Sequence, residues 1–482
     1  MAISIISNFT SGKFYPSANP INCTIDSNNS GSCNFRYICD LYVNGTKVFT
    51  DKLFPDPTTG YGFFQLQRVI DDYIKTEFAK TPLTALFSAA TGTTAPTSTI
   101  TISCKFGEEY DSSSDCTNPV TQYLNLATSN TFYVFESAID YEDFPSYDYT
   151  DYVVGTNSSA EFLTNSPREV EVTYNDSYSL DFLTLASSGT YSMIVTGYNI
   201  NGSVNFTNTY DKNISSRKRW RLAVGPYDLN RIENDIIISQ DIKYYEVKLQ
   251  YNSVDVSETF TFNVKPPKTF QTRIGFVGLK GGLEHFTFYH RNTKSFTAER
   301  KTYDRYLQSN YSNSLSYEVG DRGTSTYAIN SKETHKVASY CERSTSEWLY
   351  EMWLSPQVWT YKRPELLAFR TIEDGLYSKF WLPDNHGIVA GDRLFCFPDT
   401  SNNDYRDIFT VVSVNGNIVD CGLLLSVYNL GTACGWVQKD EAWKTLPITI
   451  SDNNVEVKQK LTKPIEYSLS YAMAYSKNTL RG

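Results

Sequence analysis

From Phe35 to Val43 the chain alternates, with Phe35, Tyr37, Cys39, Leu41 and Val43 at every second position. That period of two belongs to a strand with one face buried. Asn44-Gly45 follows at once, and then Thr46-Lys-Val-Phe49. Asn-Gly is the strongest short-range signal for a two-residue hairpin, because both central residues must accept a positive φ. The rest of the chain repeats this style. The predicted class is mainly β and multi-domain: immunoglobulin-like β-sandwich modules, a few short helices and a small β-barrel-like insert.

With 482 residues the chain is too long for one small core, and about 100–200 residues per domain suggests roughly three. Residues 1–120 read as a first β-sandwich module with one amphipathic helix. In that helix Leu66, Val69, Ile70, Tyr73, Ile74 and Phe78 fall at helical spacing. Thr99–Phe106 alternates again as a strand. Residues 121–267 read as a second sandwich module, with strands at Phe132–Phe135, Glu169–Tyr174, Tyr191–Tyr198, Trp220–Val224, Tyr245–Tyr251 and Glu258–Val264. Asn201-Gly202 supplies a second hairpin turn, and Pro266-Pro267 stops the last strand. Residues 268–482 read as a third β-rich domain interrupted by a barrel-like insert at 377–437. Within it Thr345–Leu354 is predicted as a helix capped by Ser344 or Thr345, with Trp348, Leu349, Met352 and Trp353 on its apolar side.

Candidate chemistry is sparse. Asp140, Glu142, Asp143, Asp148 and Asp151 form an acidic run. Facing carboxylates could hydrolyse a glycoside, and grouped oxygens could hold calcium. The spacing fits no EF-hand, however, and aromatics interleave with the acids, so a contact loop or solvated face is the favoured reading. Gly278-x-x-Gly281-Gly282 lacks the Gly-Lys-Ser/Thr ending of a phosphate loop and reads as a turn between strands. His285 and His290 have opposite parity, which places them on opposite strand faces. Ser216–Arg221 is a short basic run, read as a solvated strand entrance. No catalytic, cofactor-binding or metal-binding residue is assigned, and no cofactor is expected.

A net charge of −10 disfavours a chain-wide nucleic-acid binder. No leader pattern and no stretch of about 20 apolar residues occurs, so no membrane anchor is expected. The nine cysteines are scattered without a CxxC pair and read as reduced, partly buried thiols. Sequons such as Asn8 and Asn205 reflect an Asn/Ser/Thr-rich composition. Aromatic residues reach 15 %, with 36 Tyr, more than a core alone demands. Tyr offers a large rigid ring with a polar tip and suits contact surfaces. Two stretches lack regular apolar patterning yet carry aromatics, 138–152 and 303–334. Their candidate interface residues are Tyr141, Phe144, Tyr147, Tyr149, Tyr152, Tyr303, Tyr306 and Tyr311.

Several strings resemble a family of virion proteins in tailed phages of Bacteroidetes hosts, the crAss-like podoviruses among them. Near the start these are Asn19-Pro-Ile-x-Cys23, Phe35-Arg-Tyr-Ile-x-Asp-Leu-Tyr-Val-Asn-Gly45, and Gly60-Tyr-Gly-Phe-Phe64 before Asp71-Asp-Tyr73. Further along they are Arg273–Phe288, Glu347–Pro356 and Leu446–Asp452. The resemblance implies a structural role in the tail or its connection to the head, with no catalytic motif to carry over. It implies a homo-oligomeric ring, sixfold or twelvefold, docked to other tail or portal-proximal proteins. DNA would be a partner only in transient passage through a channel, where an acidic lining would repel phosphates. The place of action would be the virion, after synthesis in the bacterial cytoplasm. The rival expectations are a glycan-binding tail fibre, a glycan-degrading enzyme using the 140–151 carboxylates, and a head-decoration protein.

Overall fold

A computed structural model describes residues 3–74, 85–89, 98–111, 116–117, 119–155, 159–174, 176–184, 188–215, 218–233, 237–239, 241–266, 271–304, 324–362, 366–371, 379–384, 386–398, 407–422, 434–439, 444–451 and 465–474. The chain is mainly β and divides into two compact units. The first comprises Met1–Pro266, Val277–Glu284 and Pro364–Ala442, the second Pro267–Phe276, His285–Arg363 and Trp443–Gly482.

The predicted first hairpin is present. Strand Cys33–Val43 pairs antiparallel with Thr46–Leu53, and Asn44 and Gly45 have φ of 50° and 81°. Nothing lies within 4 Å of a Cβ placed on Gly45. Gly45→Ala is therefore expected to lose only the left-handed backbone term, about 1 kcal/mol, in urea denaturation.

Two sheets enclose the first core. One runs Ile3–Ser7, Asn22–Ser27, Gly62–Gln65; the other runs Phe14–Pro16, Phe132–Phe135, Thr99–Asp111, Cys33–Val43, Thr46–Leu53. Ile25, Cys23 and Phe64 of one sheet meet Tyr37, Leu41, Ile102 and Phe132 of the other in one buried cluster, as a sandwich requires. The predicted amphipathic helix is shorter than its pattern, spanning Gln67–Asp71. Leu66, Ile70 and Ile74 are buried, Val69 packs beside them, and Tyr73 is exposed. Phe78 lies outside the described residues.

The second sandwich pairs the sheet Val153–Val154, Ser179–Thr184, Arg219–Ala223, Phe87–Ala89 with the sheet Glu169–Thr173, Phe260–Lys265, Ile242–Tyr251, Gly189–Asn199, Val204–Ile214. Leu180, Phe182 and Leu222 face Met193, Val195, Tyr245 and Phe262 across its core. The strand order departs from the predicted boundary at 120 in two ways. Pro119–Thr128 and Phe132–Phe135 complete the first sandwich by pairing with Thr99–Asp111. Phe87–Ala89, earlier in the chain, belongs to the second by pairing with Arg219–Ala223. A linear reading misses such exchanges because ladder partners need not be sequence neighbours. Helix Pro226–Glu233 was not foreseen. Its signals were Pro at the first position and Asp228 in the first turn.

The insert forms a sheet ordered Asp407–Thr410, Arg393–Pro398, Cys434–Lys439, Leu366–Thr371, Lys379–Trp381, Ile418–Asp420, Ser413–Asn415. Its two outermost strands are joined by Val411 and Val412 alone, so the edges must meet and the sheet curls into a barrel-like form. Val411 N–H donates to Asp392 O and Val412 N–H to Asp420 O, both at 2.7 Å, so the link continues the ladder of one outermost strand directly into that of the other. The strands begin at Leu366 and end at Lys439, wider than the expected 377–437.

A seven-stranded sheet, formed mostly by residues of the second unit, runs Leu283–Phe288, Thr272–Val277, Val358–Lys362, Lys444–Ile450, Ile465–Met473, Thr324–Cys341, Arg291–Asp304. Two short helices, Arg343–Trp348 and Glu351–Leu354, replace the one predicted. Trp348, Leu349 and Met352 are buried on the sheet as the pattern required. The Tyr467 hydroxyl donates to Leu349 O at 3.0 Å. The cap is Glu342 rather than Ser344 or Thr345, and its side chain makes no capping bond.

The cysteines also depart from expectation. Cys23, Cys39, Cys104, Cys341 and Cys421 are buried free thiols, but Cys33 and Cys116 form a disulfide. The ladder places Cys33 opposite Asp111, so the chain lies near Cys33 when it reaches Cys116. A sequence separation of 83 hides that proximity.

Candidate assembly interface

The acidic, aromatic segment folds as two 3-10 turns, Phe144–Ser146 and Tyr149–Tyr152. Asp148 caps the second, its carboxylate accepting from Thr150 N–H at 2.9 Å. That hydrogen bond holds the Asp148 carboxyl below its ordinary range. Asp148→Ala should cost about 1 kcal/mol of unit stability in chemical denaturation, as lost caps do.

Three of the five predicted contact aromatics in this segment turn inward. The Tyr147 hydroxyl donates to Phe14 O at 3.0 Å, and its ring stacks between Phe144 and Tyr152. Burial pushes the Tyr147 phenol well above its ordinary value. Tyr149 and Tyr152 pack on a buried cluster of Phe14, Phe135, Val153, Leu163 and Leu183. Lys280 Nζ lies 4.9 Å from the Tyr152 ring centroid and 2.9 Å from Glu161 Oε2. Phe144 is half-buried, and Tyr141 stands out at 93 % exposure. Asp140, Glu142, Asp143, Asp148 and Asp151 are exposed. Partial loss of water around its carboxyl, with the nearby Asp148 and Glu161, raises Asp151, and Lys280 partly offsets them.

The second predicted contact stretch is not an irregular loop where it is described. Arg291–Asp304 and Thr324–Cys341 form one long antiparallel ladder, from Arg291 opposite Ala338 to Asp304 opposite Thr324. Thr334–Cys341 also pairs on its other side with Ile465–Met473. Thr324–Glu333 has no such second strand among the described residues, so the hairpin continues as a two-stranded arm about 30 Å long. Every residue of Arg291–Asp304 is exposed, including Phe296 at 57 %. Tyr303 and Tyr327 sit near the far end at 52 % and 59 % exposure, their ring centroids 6.3 Å apart. Sequence patterning failed here for a physical reason: a strand wet on both faces shows no apolar alternation. Tyr306 and Tyr311 lie outside the described residues.

A buried charge cluster underlies the first segment, and sequence reasoning missed it. The basic run at 216–221 is not a solvated strand entrance at its C-terminal end. Arg219 and Arg221 are 1 % and 5 % exposed. Both donate to the buried Asp181 carboxylate, Arg221 Nε to Oδ1 at 2.8 Å and Arg219 Nη2 to Oδ2. The ladder sets Asp181 opposite Arg221 and Leu183 opposite Arg219, so all three charges share one face. The Gly278–Gly282 turn completes the cluster, as Gly281 O accepts from Arg219 and Leu283 N–H donates to Asp181 at 3.3 Å. Two signals were available: equal parity at Arg219 and Arg221, and a lone acid inside Ser179–Thr184.

The remaining sequence candidates separate. His285 is buried in the second unit with Nδ1 3.0 Å from the Tyr361 hydroxyl, whereas the His290 ring lies 4.5 Å from the Tyr340 ring. Among the described residues no three His, Cys, Asp or Glu side chains converge as a metal-ligand set. No helix among them is long and apolar enough to cross a membrane.

The sequence matches no protein-family model and no curated protein. Among solved structures it is similar to a β-glucuronidase of glycoside hydrolase family 2, at 9 % identity and TM-score 0.14, over 97 % of this chain and 38 % of that one. It is also similar to the four N-terminal Ig domains of Dscam1 isoform 4.44, at 8 % identity and TM-score 0.15, over 92 % and 97 % of the two chains. The chain thus spans under two fifths of the glucuronidase, and at these scores neither likeness carries a function.

Proposed function

We propose that this chain is a structural subunit of a bacteriophage virion, acting in the tail or its head-to-tail connection. It would self-assemble about the tail axis and dock neighbouring tail proteins, making and breaking no covalent bond. The observation that carries this reading is the two-stranded arm. A hairpin with no second layer is marginal in water, and a long exposed edge strand is a template for pairing. Arg291–Asp304 is such an edge, and it presents Phe296 and Tyr303 to solvent. An element of this kind gains its stability by being covered in an assembly. The resemblance of several strings to phage virion proteins and the modular sandwich architecture support the same reading.

The test is solution mass by light scattering, with negative-stain electron microscopy of the purified full chain. Rings, or a mass that is a sixfold or twelvefold multiple of the chain, are the expected result. An elongated trimer that binds glycans would replace this reading with a tail fibre. Glycan cleavage abolished by Asp140→Asn or Asp143→Asn would replace it with an enzyme.

A further inference from the structure

We propose that the Cys33–Cys116 bond is a redox latch on the end of one hairpin, opened by a dithiol and closed by a small-molecule disulfide. The hairpin is Thr99–Asp111 with Pro119–Thr128, and its ladder is broken. Lys105 and Phe106 pair with Thr128 and Ala127, and then the register shifts. Beyond the shift a separate stretch pairs Glu108 with Gln122, Glu109 with Thr121, Tyr110 with Val120 and Asp111 with Pro119. Among the described strands Pro119–Thr128 pairs with Thr99–Asp111 alone, so it is an edge. On the other side of this stretch the ladder to Cys33–Val43 is irregular too, with a shift between Cys33 and Arg36. Ladder bonding alone thus holds the hairpin end weakly, and the disulfide ties it to the first residue of the neighbouring strand. Asn34 Nδ2 adds one bond, donating to Cys116 O at 2.8 Å. Cys116 has φ of 60°, a left-handed backbone that residues with a Cβ adopt only where their surroundings impose it.

The bond is placed to react. Cys116 is exposed and Cys33 half-buried, and neither belongs to the buried cluster of the first sandwich. The free thiols Cys23, Cys39, Cys104, Cys341 and Cys421 are all buried. Loss of water pushes Cys23 and Cys421 up to about 12 and Cys341 to about 11, so few of them are thiolates near neutrality, and the thiolate is the attacking form. In opening, a dithiol thiolate attacks one sulfur of the bond and releases the other cysteine. The second thiol of the reagent then displaces the first cysteine, leaving two protein thiols and a cyclic disulfide. In closing, the two protein thiols reduce a small disulfide to two thiols and form the bond again. The fold has a second fastening that survives opening. Glu108 is fully buried and accepts from Ser27 Oγ at 2.5 Å and Asn29 Nδ2 at 2.8 Å. Opening is therefore confined to the pairs beyond Glu108. In a thiol-rich compartment the latch is open, and in oxidising surroundings it is shut. The latch acts within one copy and does not depend on the assembly reading.

The test is hydrogen exchange by mass spectrometry on the native full chain, with alkylation mapping of its thiols. One sample is treated with dithiothreitol and a second with oxidised glutathione. Dithiothreitol should make Cys33 and Cys116 alkylatable while the five buried thiols stay blocked. Amides at 109–111 and 120–122 should then exchange at least about 10-fold faster, as local opening requires. Those of Gly189–Asn199, in the second sandwich, should not change. Oxidised glutathione should restore slow exchange in the reduced chain. Cys33→Ser and Cys116→Ser should each show the fast pattern and respond to neither reagent. A bond that resists dithiothreitol until urea unfolds the chain would overturn the latch. So would Cys33 and Cys116 that remain alkylatable after oxidised glutathione, or equal exchange in the two samples. Protection lost throughout the first sandwich on reduction would also overturn it, because the bond would then be a condition of folding. Solution mass enters none of these readouts, so the latch and the assembly reading fail separately.

Discussion

Asp181→Ala is expected to destabilise the first unit by about 3–5 kcal/mol, because it leaves two guanidiniums buried without their counter-ion. Asp181 is buried, and Arg219 and Arg221 both bond to it. Burial alone would raise the Asp181 carboxyl. The two arginines outweigh burial and hold it at about 2, against an ordinary 3.8. A depressed folded value means that the stabilisation is present above pH 4 and is lost as the pH falls through about 2. Urea denaturation of the full chain from pH 7 to pH 2 reads both effects. The gap between the unaltered chain and Asp181→Ala should be largest near neutrality and should narrow below pH 4. Replacing all three charges together, as Asp181→Leu with Arg219→Met and Arg221→Leu, should cost much less than Asp181→Ala alone, since no charge is then stranded. A single-variant loss under about 1 kcal/mol would show that the two arginines reach solvent, where ion pairs are worth that little.

Gly281→Ala is expected to cost more than about 3 kcal/mol, from a left-handed backbone and overpacking combined. Gly281 has φ of 84°, and a Cβ there would lie 1.8 Å from Glu136 O. At Gly282 it would lie 2.0 Å from Leu163 O. Both obstacles are main-chain oxygens, so no flexible side chain can swing aside. Relief would require the Gly278–Gly282 turn to lift away, breaking the bond from Ala138 N–H to Leu279 O at 2.7 Å and that from Arg219 to Gly281 O. The contrast with Gly45→Ala isolates the steric part, since Gly45 has a similar φ and open space. The turn and the ion cluster share Arg219, so the two effects should couple. Gly281→Ala should therefore cost less in an Asp181→Ala background than in the unaltered chain, as thermal unfolding of the four proteins would show. Equal costs in both backgrounds would uncouple the turn from the cluster. The glycine pair within Arg273–Phe288 thus has a packing explanation that needs no ligand.

The elements legible in advance were those whose apolar residues follow a regular period. Cys33–Val43 declared itself because Phe35, Tyr37, Cys39, Leu41 and Val43 recur every second residue, although Ile38 and Asp40 between them are buried as well, and Asn44-Gly45 because only certain residues accept two successive positive φ values. The apolar positions of the 343–354 helices were legible for the same reason. The arm was not, because both its faces are in water and selection for apolar alternation is absent. Of the candidate contact residues, Tyr141 and Tyr303 proved exposed, whereas Tyr147, Tyr149 and Tyr152 are held against the first unit's own core and hydrogen bonds. Composition shows that a tyrosine suits a surface; it does not show whether that surface meets another part of the same chain.

Local chemistry in the sequence determined the β class, the hairpin turns and the apolar faces of the helices near Leu66–Ile74 and Arg343–Leu354. Those properties depend on neighbours within a few positions. Only the tertiary structure decided that Asp181 meets Arg219 and Arg221, 38 and 40 residues away. The same holds for the bridge from Cys33 to Cys116, the placement of Phe87–Ala89 in the second sandwich, and the setting of Gly281 against Glu136. Each depends on ladder register and sheet order, which bring distant residues together. A buried charge or a crowded glycine becomes visible only when both sides of the contact are in place.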